Sequence, residues 1–468
     1  MAAPVSRRRS PPSSPTARII ISLGPSPKGS RPMRFDQPVL LYGAGREARS
    51  TRAFLKARAP DLKVYVTVDS GDAGIDDAEI IAPTDLQAAI EQKRFGTIVK
   101  SPGVSRYRPI FLVAREAGIA VTSNLNLWGE YFRDGRTVIA ITGTKGKSTT
   151  ATLVHLMLTQ SGIDAGLAGN VGLAPLEIAG KHKVVVFELS SYQTADMAFS
   201  PDIAAVTNLT PEHTDWHRDA EHYFADKLNL IDHETPFPVG LGPAAQTNPL
   251  VLAALRDPKR LLPPLAPFIA DRIASTVSKS KLKGAHNLDN ARLAAQIALA
   301  AGAGLEGIVR GINQFEPLPH RLEEHAIGGL TIVNDSISTT PEATKAALAA
   351  YPGKRIALVA GGHERQQDYA ELASLLGARG VTVLVALPVT GDRLATATYA
   401  AAPQIEVVEA GTLRAGLEAL AARRDKFDTI ILSPGAPSYG QLETAGIVFK
   451  DFEQRGRAFV RIAEELLG

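Results

Sequence analysis

A chain of 468 residues, 45% hydrophobic and 21% charged, exceeds what one hydrophobic core organises and has the balance of an ordinary globular protein. Its formal charge of +3 gives no electrostatic reason for a nucleic-acid partner, and the absence of cysteine excludes disulfides, thiolate metal sites and cysteine nucleophiles. No apolar run approaches the roughly 18 residues that cross a bilayer, so a cytoplasmic enzyme of about two to three domains, without a membrane partner, is expected.

Residues 1–34 carry prolines and arginines but no acid, the composition of a disordered basic tail. An overlong reading frame with Met33 as the true start, or a weak interaction arm, would look the same, and IIISL is too short for a secretory signal. From Pro38 the pattern changes. VLLYGAG, VYVTV and TIVKSPG read as strands that each end in a turn, with ARSTRAFLKARA at helical spacing between the first two. Parallel sheets bind ligands beyond the carboxyl ends of their strands, and Gly43-Ala44-Gly45 lies at such an end. Arg46 follows instead of completing a dinucleotide fingerprint, so the turn either receives a nucleotide-type ligand or is only a tight strand-to-helix connection. Asp69, closing the second strand, is placed for a ribose or base contact. Ser101 to Gly103 end the next strand in the same way.

A second unit begins near Asn126 with VIAITGTKGKSTTATLVHLML, VVVFELSS and IAAVTNLT. In GTKGKST, Gly143 and Gly146 let successive N–H groups face one anion, and the following helix adds its positive end. Lys147 supplies a point charge for terminal phosphates, and Ser148 or Thr149 a hydroxyl for Mg²⁺. A nucleoside triphosphate is therefore expected, although the loop alone does not separate a kinase, a GTPase and a ligase. Glu188, at the end of the next strand, suits Mg²⁺ or is a satisfied strand-end acid. His213 in NLTPEHTDWH and Lys227 in HYFADKLNLI, taken singly, read as a hydrogen-bonded loop histidine and a surface lysine. A third unit from about Leu318 repeats the scheme in TIVNDS, RIALVAGG, VTVLVAL and TIILSPG, so the fold class is α/β in three domains.

Taken in order, GTKGKSTT, GNVG, ELSSYQ, NLTPEHTDWH, YFADKLNLI, GAHNLDN, LPHRLE, NDS and SPGAPS resemble the Mur ligase family of peptidoglycan synthesis. ELSSYQ and the closing FEQRGRAF are most similar to the members that add glutamate to UDP-N-acetylmuramoyl-L-alanine. The resemblance implies a Rossmann-like UDP-binding domain over 35–125, a P-loop-type ATP-binding domain over 126–318 and a Rossmann-like glutamate-binding domain over 319–468. It also implies that the substrate carboxylate attacks the γ-phosphate of ATP, and that the amine of glutamate then displaces phosphate from the acyl phosphate.

By the same resemblance, Lys147, Glu188, His213 and Lys227 are catalytic. One Mg²⁺ is held by Ser148 and Glu188, and a second by Glu188, His213 and a carbamylated Lys227. ATP falls to Gly143, Thr144, Lys145, Gly146, Lys147, Ser148, Thr149, Asn287, Asn290, Arg321 and Asp335. The UDP-muramoyl-alanine falls to Gly43, Gly45, Asp69, Ser101, Gly103, Asn170, Ser190 and Gln193, with Asn126 at its border. Glutamate falls to Thr339, Arg365, Ser438 and Phe452. A monomer is expected.

Three departures concern the amino acid. The usual D-glutamate-adding enzyme has NDSKATN where this chain has NDSISTT, so Ile337 replaces a lysine. The common GGxxK segment ends in Arg365, a planar fork in place of a compact ammonium. The loop between Ser438 and Phe452 is longer. Together these resemble a branch that adds L-glutamate and is followed by an epimerase acting on the product; D-glutamate remains the alternative. A folylpolyglutamate synthetase would lack the first domain, and a nucleotide-switch protein or a noncatalytic scaffold would leave Glu188, His213 and Lys227 without a role. Lys145 stands where the family usually has asparagine, which adds positive charge beside the phosphates.

Overall fold

The computed structural model describes residues 35–69, 73–212, 214–232, 237–317, 319–364, 366–444 and 446–468. The N-terminal tail, His213 and Arg365 lie outside the described residues.

The first sheet contains β1 (Val39–Tyr42), β2 (Val64–Thr67), β3 (Glu79–Ile80), β4 (Thr97–Lys100) and β5 (Ala120–Thr122), all parallel in the order β3-β2-β1-β4-β5. The second contains β6 (Thr137–Thr142), β7 (Ala165–Gly169), β8 (Val184–Glu188), β9 (Ile203–Val206) and β10 (Val239–Leu241), parallel in the order β10-β9-β6-β8-β7. The third has an antiparallel edge strand, β11 (Glu323–Ile327), on β12 (Leu330–Asn334), β13 (Ile356–Ala360), β14 (Val381–Ala386), β15 (Glu406–Glu409) and β16 (Thr429–Leu432). Its order is β11-β12-β16-β13-β14-β15. A short hairpin, β17 (Leu442–Thr444) with β18 (Ile447–Val448), stands inside the long C-terminal loop.

The strands read as continuous apolar runs because helices cover both faces of each sheet. Along β6, Val138 and Ala140 enter one cluster and Ile139 and Ile141 another, as the period of two demands. The first of those clusters also holds Val39, Leu41 and Trp128, so the first two sheets share apolar packing. Buried polar contacts tie the same units together: Lys100 pairs with Asp196 at 2.6 Å, and Gln193 Nε2 donates to Glu47 Oε1 at 2.7 Å.

In the second sheet Ile141 lies opposite Glu188 and Thr142 opposite Val206. The carboxyl ends of β6, β8 and β9 therefore finish level with one another, and the chain order reverses around β6, where open α/β sheets hold their ligands. In the third sheet Asn334 and Val359 both lie opposite Leu432, which brings the NDS, GGHE and SPGAPS turns to one edge. Among the described residues no helix is long and apolar enough to cross a membrane.

Candidate active site

The phosphate loop is shaped by what crowds it. Gly143 has φ +148, and a Cβ there would run into the Thr207 side chain. Gly146 has φ +79, and a Cβ would meet Asn290 Oδ1 at 2.5 Å. Asn208, just beyond β9, accepts from the amides of Thr144 at 3.1 Å and Lys145 at 2.8 Å, while its own amide group donates to Lys145 O at 3.1 Å. Thr144 Oγ1 donates to Thr210 O at 2.9 Å and meets Tyr223 OH at 3.0 Å. With the front of the loop fixed, the first amides of helix Lys147–Gln160 are the groups left to receive an anion. Ser148 is half-buried at this end, whereas Thr149 is buried.

Two amines turn onto the loop's own carbonyls. Lys147 Nζ donates to Thr144 O at 3.0 Å, and Lys227 Nζ to Gly143 O at 2.6 Å. Lys227 ends helix Ala220–Leu228 and is 2% exposed, so the surface-lysine reading fails: Tyr223 and the loop enclose it. Burial, and then the neighbouring Lys147 charge, hold its proton affinity well below that of an ordinary lysine, against the opposing pull of Glu212 and Glu188. Burial lowers Lys147 as well, and Glu188 and Glu212 oppose it. Glu188 is itself completely buried and accepts from Asn170 Nδ2 at 3.3 and 3.4 Å. Lys145 points outward and pairs with Glu212 at 2.7 Å.

The third unit contributes Arg321, whose charge is felt at Lys147 and which itself feels Glu188. It stands between two residues with left-handed backbone, His320 (φ 65) and Leu322 (φ 47), a combination that non-glycine residues adopt at a cost. Asp335 lies behind it, buried, accepting from the Ser338 and Ser433 hydroxyls and from the Leu322 amide at 3.2 Å. Burial pushes its carboxyl up to about 6. Asp335 thus fixes the turn that presents Arg321. Asn287 accepts from Asn290 Nδ2 at 3.1 Å on helix Ala285–Ala300, beside Gly146.

The expected UDP-muramoyl-alanine residues divide into two groups. Gly43 has φ +111 and no room for a side chain, since a Cβ would meet Ser101 Oγ at 2.5 Å. Asp69 accepts from Tyr42 OH at 2.9 Å and pairs with Arg108 at 2.6 Å. Gly103 O accepts from Trp216 Nε1 at 3.2 Å. Arg46, beside Gly45, bonds the carbonyls of Gly172 and Gly169 at 2.6 and 2.8 Å and so clamps the turn that carries Asn170. Ser190 and Gln193, in contrast, close a capping box on helix Ser191–Asp196, and Gln193 Nε2 donates to Glu47 Oε1 at 2.7 Å. Both are committed to internal bonds in this arrangement.

Glu47 and His217 escaped the sequence reading. His217 bonds Asp226 Oδ2 at 2.7 Å and Ser191 Oγ at 2.9 Å, and Tyr107 OH donates to the same carboxylate at 2.9 Å. This buried chain braces the helix that carries Lys227; its only sequence signal is that Asp226 adjoins Lys227. Glu47 Oε2 has no partner among the described residues. Burial pushes this carboxyl up to about 7 from 4.5, against the Gln193 bond and the Lys100 and Arg46 charges. As pH rises through that window the unfolded chain ionises first, so the group subtracts stability above about pH 7 and none below about pH 4.5. Glu47→Gln is expected to match the parent at about pH 4 and to exceed it by on the order of 3 kcal/mol near pH 8.5, in denaturant melts.

Thr339, Ser438 and Phe452, expected to take glutamate, lie at the edge of the third sheet. Ser336 Oγ donates to Phe452 O at 2.8 Å, Thr339 O accepts from Gln367 Nε2 at 3.3 Å, and Ser438 is buried. Residues 141–239 match the Mur ligase middle domain, and residues 320–435 match the Mur ligase glutamate ligase domain. A UDP-N-acetylmuramoyl-L-alanine--L-glutamate ligase of Xanthomonas euvesicatoria pv. vesicatoria is 34% identical, over 91% of this chain and 94% of its own length. The chain belongs to the Mur ligase family. A protein of the same name from Micromonospora sp. is 33% identical, over 92% of this chain and 97% of its own. Among solved structures, MurC of Thermotoga maritima superposes with a TM-score of 0.57 at 16% identity, covering 92% of this chain and 99% of that one. MurF of Acinetobacter baumannii gives 0.56 at 16% identity, covering 92% and 91%. These likenesses show the three-domain Mur fold, and as a Mur ligase the protein is an ATP-dependent ligase that forms C–N bonds.

Proposed function

We propose that this Mur ligase joins L-glutamate to UDP-N-acetylmuramoyl-L-alanine, with ADP and phosphate as the other products. Residues 35–125 would bind the UDP substrate, 126–318 ATP and 319–468 glutamate. One observation carries the reading: Lys147 and Lys227 bend onto a phosphate loop level with the buried Glu188, with Arg321 brought in from the third unit. A carboxylate and a triphosphate repel each other, and the positive charges of Lys147 and Arg321, joined by Mg²⁺, would lower the cost of their approach. The substrate carboxylate oxygen bonds to the γ-phosphorus as the bridging oxygen leaves with ADP. The glutamate nitrogen then bonds to the acyl carbon, loses its proton, and phosphate departs.

Mg²⁺ fits the donors present. Among the described residues Glu188 accepts just two long bonds, both from Asn170, which leaves oxygen lone pairs for a hard cation, and Ser148 lies at the loop's open end. Among the described residues no three histidine or carboxylate side chains converge, so phosphates and water would complete the shell. Ser148 and Glu188 would hold one ion, and Glu188, His213 and Lys227 a second; bound there, they supply Lewis-acid charge to the phosphates. Lys227 would serve as a carbamate. An unprotonated amine adds to CO₂ and releases a proton, and burial favours that form of Lys227.

The choice of L-glutamate is supported by the names of relatives that match along nearly the whole chain, and by Ile337 where a lysine is usual. An epimerase acting on the product would then be required. The test is phosphate release from ATP in the presence of UDP-N-acetylmuramoyl-L-alanine, with L- and D-glutamate run side by side. Turnover with the L-isomer alone is expected. Turnover with D-glutamate alone, or equally with both, overturns the stereochemical reading.

A further inference from the structure

Arg455 carries a buried charge that nothing above uses. It lies in the first turns of the closing helix Phe452–Leu467, and its side chain is completely enclosed. Its Nε donates to Ser336 Oγ at 2.9 Å, its Nη2 to Ser336 O at 2.8 Å and Ala436 O at 3.2 Å, and its Nη1 to Gln441 Oε1. Every one of these acceptors is neutral. Among the described residues no carboxylate pairs with it, and burial alone pulls the guanidinium down to about 9. A buried ion without a counter-ion is costly, so its retention calls for an anion that arrives later or for a purely mechanical role.

The place of this charge favours the anion. Ser336 follows β12, Ala436 follows β16, and Gln441 opens the long loop; Gln441 Nε2 in turn donates to Gly361 O at 2.7 Å, just after β13. The guanidinium is thus the hub of the three turns at the ligand-binding edge of the third sheet. Those turns lead to Thr339 and Ser438, and Ser336 itself bonds the backbone of Phe452. In the same turn, Ile337 stands beside Ser336. An amino acid with two carboxylates and one ammonium would meet, at this edge, no lysine at 337 and a cation buried behind the Ser336 turn.

We propose that Arg455 is a positioning residue for the amino-acid substrate, and that, gripped by Ser336, Ala436 and Gln441, it supplies from inside the domain the charge that balances a glutamate carboxylate. This rests on the substrate reading given above. The charge acts from the buried interior, where Coulomb attraction is far less screened than in water. The bonds from its fork orient Ser336 and Gln441 at the same time.

The experiment uses the full chain and steady-state phosphate release, varying each substrate in turn. Arg455→Met is expected to raise KM for glutamate roughly tenfold to a hundredfold, the loss of a hydrogen-bonded charge, and to leave KM for ATP and for the UDP substrate within about twofold. Its preference for glutamate over glutamine narrows, and Arg455→Lys recovers part of both effects. Acyl phosphate formed without amino acid, trapped by borohydride, stays at the parent level. Gln441→Leu keeps the guanidinium but loosens its grip and is expected to raise KM for glutamate alone; it decides the matter where Arg455→Met does not fold. Equal rises in all three KM values, or a lower Tm with unchanged KM for glutamate and unchanged preference over glutamine, overturn the proposal. If the parent releases no phosphate with either isomer of glutamate, the substrate reading fails instead. The Arg455 variants are then read on whichever acidic amino acid drives turnover, and an unchanged KM for it overturns the proposal independently.

Discussion

Lys227→Ala is expected to lower kcat by about a thousandfold or more, the scale on which removal of a preorganised charge acts. The side chain is enclosed and reaches Gly143 O, and burial, its largest influence, lowers its proton affinity and so favours the amine form. A protonated lysine cannot serve a cation, whereas the carbamate of that amine is a carboxylate analogue at the end of a rigid helix. Removing it would take away the proposed metal donor, and it leaves the Gly143 carbonyl without its bond. Bicarbonate or a short carboxylic acid, entering the space left behind, is expected to restore part of the turnover, and Lys227→Arg is not expected to replace it. Phosphate release checks the loss and the rescue, and ADP binding with an unchanged melt shows that the loop survives. Full activity in Lys227→Ala would sink the carbamate reading.

The residues that were legible in the sequence are those whose function is local. GTKGKST follows an apolar strand and opens a helix, so its backbone chemistry is written in seven adjacent residues, and β6, β8 and β9 could be read from runs buried on both faces. Lys227 was recognisable only by likeness to a family. Helix Ala220–Leu228 has an ordinary polar face, and its lysine is buried by the phosphate loop, distant in sequence, together with Tyr223 one turn earlier on the same helix. Glu47 was illegible because its partner Gln193 lies in another domain. The same geometry adds to how ELSSYQ is read: serine followed three residues later by glutamine is a capping box, a local signal in the sequence that stands beside the expected substrate contact. Lys145 gains a structural partner in Glu212, an acid beyond β9 that sequence spacing did not suggest. The long C-terminal loop was recognised by its length, but its β17–β18 hairpin and its anchoring through Gln441 depend on contacts with Arg455 and Gly361.

Glu188→Gln is expected to be nearly as damaging to turnover as the loss of Lys227, again on the order of a thousandfold, although it changes the shape of the side chain hardly at all. The variant keeps an oxygen for Asn170 Nδ2 and removes only the negative charge. That charge opposes the burial penalty on Lys147, and it is felt by Lys227 and Arg321 as well. Without it the site holds three cationic or potentially cationic groups and lacks the carboxylate proposed to serve both metal ions. The Mg²⁺ concentration needed for half-maximal phosphate release is therefore expected to rise together with the fall in kcat, while a purely structural acid would alter the melt and leave the metal dependence alone. Glu188→Asp supplies the finer test. Because Glu188 is the last residue of β8, level with Ile141, a shorter side chain withdraws the carboxylate from the loop without moving the strand. Intermediate activity with a raised Mg²⁺ requirement is the expected outcome. Turnover within tenfold of the parent in Glu188→Gln would return this residue to an ordinary strand-end acid, because a charge-neutral donor cannot substitute for a carboxylate toward a hard cation without a measurable cost.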